Sequence, residues 1–240
     1  MKLKTKTKKL IKKSFVYNFF KIVKVTNKNK IFCISFQRNG TTSVGDFLEE
    51  HGIKVARWGD SYSNNWSYFW YIGNYEKIFN TNTFKANQAY EDSPWWHPDF
   101  YKVLYHRFPN SKFILFYRDP EKWFDSMLSH SNGKTLGSTE QHCYLYRRMS
   151  EFYNKLDNDP FFKPKEHKID NLMTLDGKRE HYIKVYEEYN RGVLDFFRKH
   201  NNKRIFISEL TDNQKWVKLG EFLNIKVEKN YQIHSNKSKR

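Results

Sequence analysis

The chain has 240 residues, of which 38% are hydrophobic and 18% aromatic, so it holds enough apolar material for one sizeable core. Lysine and arginine number 43 against 26 acidic residues, and the resulting charge of +17 favours anionic partners without choosing among them. The two cysteines, Cys33 and Cys143, lie far apart in sequence. Neither a disulfide framework nor a cysteine-based zinc site is therefore indicated, and a reducing compartment is favoured.

Residues 1–29 predict a basic N-terminal arm or amphipathic helix ahead of a single domain over residues 30–240. The apolar stretch of this arm is interrupted by Asn18 and Lys21 and is too short to span a bilayer. A basic, Phe-rich helix also suits contact with a membrane surface. We therefore expect a cytoplasmic protein, with peripheral membrane contact through this arm as the alternative.

Strand-like and helix-like segments alternate along the domain. Apolar runs typical of buried strands occur in residues 31–36 and 53–57 and in QAYEDSP, KFILFY and KRIFISEL. Helical patterns follow in VGDFLEEHG, WWHPDFYKVLYHRFP, EKWFDSMLSH, REHYIKVYEEYNRGVLDFFRKH and KWVKLGEFLNI. This order predicts an α/β fold of three layers, with helices on both faces of a central, mostly parallel sheet.

Three segments carry further expectations. Residues 131–180 are polar and interrupted by glycine and proline, which predicts insertions or a mobile lid. Helical spacing predicts a buried stripe at Tyr182, Val185, Tyr186, Tyr189, Val193, Leu194 and Phe197. An aromatic cluster suits either an acceptor platform or the core; its members are Trp66, Tyr68, Phe69, Trp70, Tyr71, Trp95 and Trp96.

The first candidate site is Gln37-Arg38-Asn39-Gly40-Thr41-Thr42-Ser43, between the first strand and the first helix. Unsatisfied N–H groups at a helix N-terminus favour an anion, and Gly40 permits close approach of the backbone. Three hydroxyl groups and the Arg38 charge add donors for a phosphate-like group. The alternative is a plain turn in which Asn39 or Thr41 caps the helix.

The second candidate site is Arg118-Asp119-Pro120, at the end of the strongest predicted strand, with Ser126 on the following helix. An arginine at a strand end can fork onto a phosphate, and a serine hydroxyl adds a hydrogen bond. An Arg–Asp surface pair or turn is the alternative. Because ligands of parallel sheets lie beyond the carboxyl ends of the strands, both sites fall at the binding edge.

The first site differs from the loop of nucleoside triphosphatases. That loop requires a glycine near Phe36 and a lysine where Thr41 stands. Without this lysine and without an evident Mg²⁺ pair, ATP hydrolysis is disfavoured, and no metal is expected.

Taken together, these segments resemble the sulfotransferases that use 3′-phosphoadenosine 5′-phosphosulfate (PAPS). SFQRNGTTSVGDFLEEHG looks like their 5′-phosphosulfate loop, and KFILFYRDPEKWFDSM looks like their 3′-phosphate site. YEDSPWW, ISELTDNQKWVKLGEFLNI and IHSNKS are similar to a mostly uncharacterised branch of sulfotransferase-like proteins. The resemblance implies a P-loop-like sulfotransferase fold and transfer of a sulfuryl group from PAPS to an unidentified carbohydrate, lipid or small-molecule acceptor.

The resemblance also implies roles for individual residues. The 5′-phosphosulfate would be held by Arg38, Asn39, Gly40, Thr41, Thr42 and Ser43, and the 3′-phosphate by Arg118 and Ser126. Arg38 stands where many relatives carry lysine, so its role would be electrostatic. Asp92 is the first choice as catalytic base and Glu91 the second, with His97 and Asp60 in reserve; adjacent strand residues face opposite ways, so only one of the first two can face the sulfate. The tail residues Ser235, Asn236 and Lys237 would close over the nucleotide, unless they form a frayed end.

Two other functions remain open from the sequence. A nucleic-acid or polyanion-binding protein would use the +17 charge, although no specific nucleic-acid signature is present. A small-molecule kinase would share only the loop and would require ATP and Mg²⁺.

Overall fold

The computed structural model describes residues 29–162, 164–165, 168–169 and 171–235. The predicted N-terminal arm therefore lies outside the described residues, apart from Asn29, as do Asn236 and Lys237. Within the part described, no helix has both the length and the apolar character needed to cross a bilayer.

A five-stranded parallel sheet forms the centre of the fold. Its strands are β1 (Ile31–Cys33), β2 (Val55–Ala56), β3 (Ala89–Tyr90), β4 (Lys112–Tyr117) and β7 (Ile205–Glu209), in the spatial order β2-β3-β1-β4-β7. A separate antiparallel pair joins β5 (Pro164–Lys165) to β6 (Lys168–Ile169). The chain crosses from one side of β1 to the other between β3 and β4, so the carboxyl ends of β1 and β4 flank the switch point at which ligands bind in such sheets.

Helices cover both faces of the sheet. They are α1 (Thr41–Glu50), α2 (Trp58–Ser63), α3 (Trp66–Tyr71), α4 (Tyr75–Phe79), α5 (Asn82–Ala86), α6 (Phe100–Arg107), α7 (Pro120–Ser131), α8 (Thr139–Leu145), α9 (Met149–Asn158), α10 (Arg179–Lys199) and α11 (Lys215–Leu223). A short 3₁₀ turn, Asn202–Arg204, precedes β7. The predicted α/β fold with three layers is confirmed.

The three layers follow from the alternation of side chains along the strands. Phe113 and Leu115 of β4 belong to an apolar cluster that includes residues of α6, α7 and α10. Ile114 and Phe116 point the other way, into a second cluster with α1 and α11. Because both faces of β4 are covered, its sequence is a continuous apolar run rather than an alternating one.

The tryptophans of the predicted acceptor platform belong to the core. Trp66 and Trp95 are fully buried, and Trp70 and Trp96 are nearly so. Trp66 and Trp95 pack edge to face at 5.4 Å between ring centroids. The core alternative is therefore the one that the structure supports for these four side chains.

Two further expectations change in detail. The described part of residues 131–180 contains α8 and α9, whose Cys143 and Phe152 form a small buried cluster with Phe162 and Met173. This region is thus a packed insertion as far as the structure describes it. On α10, Leu194 is 40% exposed and Phe196 is buried instead, because at about 100° per residue Leu194 lies roughly 120° from the centre of the stripe and Phe196 only about 40° from it.

Candidate active site

The loops that follow β1, β3, β4 and β7 meet at one cavity of about 1270 Å³ at the carboxyl edge of the sheet. The remaining lining comes from the first turn of α1, one face of α7, Lys215 at the start of α11 and the C-terminal residues Gln232–Ser235. Both sites predicted from the sequence contribute to this single cavity.

The loop after β1 delivers the start of α1 to the cavity. Gly40 caps the helix with a φ of +75°, a conformation that glycine adopts without steric cost. A Cβ atom at Gly40 would lie 2.9 Å from Cδ1 of Leu210. Thr41, Thr42 and Ser43 of the first helical turn line the cavity, where helix N–H groups and hydroxyls favour an anion.

Arg38 lies at the base of the same loop. Its φ is +68°, and its Nε donates a hydrogen bond to Oγ of Ser126 at 3.2 Å. Burial and then the positive charge of Arg118 lower the pKa of Arg38, while the Asp92 carboxylate opposes this. Two guanidinium groups that repel each other in one cavity make a strong site for an anion.

Arg118 reaches the cavity because β4 ends one residue before it. Asp119 then caps α7, since its Oδ1 accepts a hydrogen bond from the backbone N–H of Lys122 at 2.9 Å, and Pro120 begins the helix. The Asp-Pro pair thus turns the chain from strand to helix and leaves Arg118 at the junction. The structure brings Arg38, Arg118 and Ser126 together, as the sequence hypothesis requires.

Asn39 is placed differently from its neighbours. It is fully buried, its Nδ2 donates to the carbonyl of Phe36 at 3.1 Å, and its Oδ1 lies 3.2 Å from the hydroxyl of Tyr186. Its side chain therefore holds the loop rather than lining the cavity. The predicted contact between this side chain and the phosphosulfate stays a prediction.

The two carboxylates predicted as bases after β3 face different surroundings. Asp92 has a φ of +66°, lines the cavity and accepts a hydrogen bond at Oδ1 from the N–H of Ser93 at 2.6 Å. Burial raises the pKa of Asp92. Glu91 lies outside the cavity, with Oε1 3.8 Å from Nη1 of Arg57, and burial raises its pKa to about 8.

The two reserve candidates lie outside the cavity as well. His97 is buried against the rings of Trp70 and Trp96, and burial lowers its pKa to about 3. Asp60 caps α2, where its Oδ2 accepts a hydrogen bond from the N–H of Arg57 at 2.9 Å. His97 therefore packs within the core and Asp60 stabilises the start of α2, and neither side chain lines the cavity.

One face of α7 supplies residues that the sequence analysis missed. Lys122, Ser126 and His130 recur every four residues and all line the cavity. Once Ser126 is a candidate, this helical spacing is the signal that identifies the other two. His130 is exposed at the edge of the cavity; partial desolvation and then the Arg38 charge lower its pKa, and the Asp92 carboxylate opposes them.

The C-terminal tail lies across α1 at the rim of the cavity. The N–H of Ser235 donates to Oγ of Ser43 at 3.0 Å, and the Ser235 hydroxyl donates to Asp46. The hydroxyl of Tyr231 donates to Glu50 at 2.5 Å. Ser235 is therefore at the site, while Asn236 and Lys237 lie outside the described residues.

Comparison with known families identifies the domain. The model of the sulfotransferase domain family matches residues 30–240, which is most of the chain. No curated protein matches the chain in sequence. Among the residues that the structure describes, no group of three or more histidine, cysteine, aspartate or glutamate side chains is arranged to hold a metal ion.

Proposed function

This chain belongs to the sulfotransferase domain family, which supports sulfuryl transfer in general, and from that premise we propose that PAPS is the donor and that a hydroxyl or amine is the acceptor. The acceptor class stays open among carbohydrates, lipids and small molecules. The proposal rests on one observation: Arg38 and Arg118, from loops after two adjacent strands, line the same cavity.

The cavity has the size and chemistry that such a donor needs. Its volume of about 1270 Å³ exceeds that of ordinary small-molecule sites, which reach roughly 1000 Å³. The repulsion between Arg38 and Arg118 is relieved when an anion lies between them. The residues present therefore fit a nucleotide that carries negative charge at two ends.

Each end of the nucleotide is assigned to one group of residues. Arg38 and the first turn of α1 would hold the 5′-phosphosulfate, and Arg118 with Ser126 would hold the 3′-phosphate. In the structure Ser126 accepts its hydrogen bond from Arg38, so binding would exchange this contact for contacts with the nucleotide.

PAPS, when bound, supplies a sulfuryl group on a phosphate that leaves readily. Arg38 stabilises the negative charge that develops on the departing phosphate oxygen, because its guanidinium donates hydrogen bonds and keeps its own proton. Asp92 is the predicted carboxylate that faces the cavity. Its negative charge favours loss of the proton from the acceptor, either directly or through a neighbouring group.

Binding of adenosine 3′,5′-bisphosphate tests the donor assignment without any acceptor. We expect this nucleotide to raise the melting temperature, because a ligand that binds only the folded chain stabilises it. R38A and R118A should each weaken binding by about 10- to 100-fold, since hydrogen bonds to charged groups contribute about 1.5–3 kcal/mol. K203A, which removes an exposed cation outside the cavity, is the control for net charge and should bind normally.

Adenosine 5′-phosphate separates the two ends of the nucleotide. It lacks the 3′-phosphate, so the wild-type chain should bind it more weakly than the bisphosphate. In R118A the two nucleotides should bind with nearly equal affinity, because the proposed contact with the 3′-phosphate is lost. If all these ligands bind alike and binding falls steeply with salt, the chain is a general polyanion binder and the donor assignment is wrong. Transfer of ³⁵S from labelled PAPS to an extract of candidate acceptors would then identify the acceptor class.

A further inference from the structure

His130 lies on the same face of α7 as Ser126, one of the residues proposed to bind the nucleotide. It stands four residues after Ser126, whose Oγ lies 3.2 Å from Nε of Arg38. Residues four apart are neighbours on one helix face. His130 also lines the cavity to which Arg38 and Asp92 belong.

Charges of both signs surround this imidazole. Arg38 disfavours its protonation and Asp92 favours it, as their opposite effects on the pKa of His130 show. The same attraction acts in reverse, since His130 in its protonated form opposes the rise that burial causes in the pKa of Asp92. The other charged or titratable groups lining the cavity are Arg118, Lys122, Asp125, Lys215 and His234.

The balance leaves His130 ready to accept a proton. Partial desolvation of this otherwise exposed side chain and the charge of Arg38 lower its pKa from the usual value of 6.5, so the neutral imidazole, whose lone pair can accept a proton, predominates near pH 7. An anion bound at Arg38 offsets the repulsion and makes the imidazole a stronger base. The last turn of α7, where His130 lies, also favours a positive charge.

On the basis of the proposed sulfuryl transfer, we propose that His130 is the residue that takes the proton from the acceptor, and that Asp92 is a positioning residue that stabilises the imidazolium. The acceptor oxygen or nitrogen forms its bond to sulfur as the bond between sulfur and the bridging oxygen breaks. The bridging oxygen keeps that electron pair and leaves with the nucleotide. The proton passes to the imidazole and is released to solvent afterwards.

The first test needs no donor and no acceptor. The pKa of His130 is measured by NMR in the nucleotide-free chain, with its signal assigned by its loss in H130Q. We expect D92N to lower this pKa and R38Q to raise it, each by about half a unit or more, which corresponds to a charge interaction of about 0.7 kcal/mol. If neither substitution moves the pKa, the charge relationship does not exist and the proposal fails.

The second test uses water as the acceptor and follows release of ³⁵S-sulfate from labelled PAPS across pH 5–9. H130Q should reduce release at pH 7.5 by about 10²-fold or more and should lose the fall in rate at acid pH, because general bases contribute about 10²- to 10⁴-fold. D92N should be slower but should keep that fall, shifted to lower pH. H106Q, on the exposed surface of α6, is the control and should match the wild-type chain.

The outcomes separate this inference from the proposed function. If H130Q binds adenosine 3′,5′-bisphosphate and retains the wild-type pH profile while D92N loses it, Asp92 itself is the base and the role of His130 is overturned. If the wild-type chain fails to bind the bisphosphate, the donor assignment is wrong, and a role for His130 in sulfuryl transfer is wrong with it.

Discussion

The backbone N–H of Arg118 donates a hydrogen bond to the hydroxyl oxygen of Tyr186 at 3.0 Å. The single proton of this hydroxyl has two acceptors at 3.2 Å, Oδ1 of Asn39 and the carbonyl of Arg118. One phenol on α10 therefore joins the loop after β1 to the loop after β4. The distance between the two loops that form the anion sites therefore depends on α10, which does not itself line the cavity.

Y186F should separate the two loops. We expect a loss of about 1–2 kcal/mol in the free energy of unfolding, because the buried N–H and amide groups lose a partner. Weaker binding of adenosine 3′,5′-bisphosphate should accompany it. Y182F is a matched control one turn earlier, since the Tyr182 hydroxyl is also buried and hydrogen-bonded, but to Arg148 at 2.9 Å. Urea unfolding should show a loss in both variants, and calorimetry should show weaker binding only in Y186F; equal affinities would contradict the prediction.

G40A should disturb the start of α1 from two directions. The left-handed backbone at Gly40 costs an alanine about 1–2 kcal/mol, and the new methyl group would crowd Leu210. G52A provides the comparison, because Gly52 has a φ of +76° and nothing within 4 Å of the added atom. Both variants should be less stable to urea, while only G40A should lose affinity for the bisphosphate. A G40A variant that binds the bisphosphate as tightly as the wild-type chain would show that the backbone need not approach the phosphate closely.

Stability should fall as pH rises through the range in which Glu91 ionises. Burial raises its pKa from 4.5 to about 8, so between these values the folded state holds a proton that the unfolded state has lost. Stability from this group is complete below about pH 4.5 and is lost progressively up to about pH 8. E91Q should flatten this slope in urea midpoints measured at pH 5 and pH 8. An unchanged slope would mean that Glu91 is already ionised at pH 5.

G45A should destabilise the chain through Arg57. A Cβ atom at Gly45 would lie 1.9 Å from Nη1 of Arg57, which donates hydrogen bonds to the carbonyl of Thr42 and, through Nη2, to Asp46. Displacement of this guanidinium should cost about 1–3 kcal/mol. Because R57A removes the same contacts, the double variant should lose much less than the sum of the two single changes. Additive losses in urea unfolding would show that the two positions act independently.

The parts of the fold that could be predicted from the sequence are those in which the local pattern and the tertiary surroundings agree. The run KFILFY forms β4 over the predicted residues because both of its faces are buried. The long helix α10 follows its apolar spacing except at Leu194. By contrast, β1 ends at Cys33 rather than at the predicted Phe36, because the chain leaves the ladder to form the loop that carries Arg38.

The residues that line the cavity could be predicted where they stand in a strand-to-helix turn, as Gly40 and Arg118 do. Prediction was weaker where a residue belongs to the site only if its side chain points toward the cavity. The sequence ranked Asp92 above Glu91 but could not show which of them faces the cavity. His130 was missed because its connection to the site depends on helical spacing from Ser126 and on the position of the cavity. The burial of Trp66 and Trp95 likewise depends on tertiary packing. A tryptophan in the sequence is compatible with the core and with a binding surface alike.

Arg38 and Asp92 both adopt a backbone conformation that lowers stability in order to place a side chain at the cavity. Each is a non-glycine residue with a positive φ, which costs on the order of 1 kcal/mol relative to glycine, and Arg38 also faces the like charge of Arg118. A chain optimised only for resistance to heat would place glycine at both positions and would lose the side chains that the proposed chemistry needs. Thermostabilising libraries of this enzyme should therefore be screened for nucleotide binding, because a higher melting temperature alone selects for an inactive site.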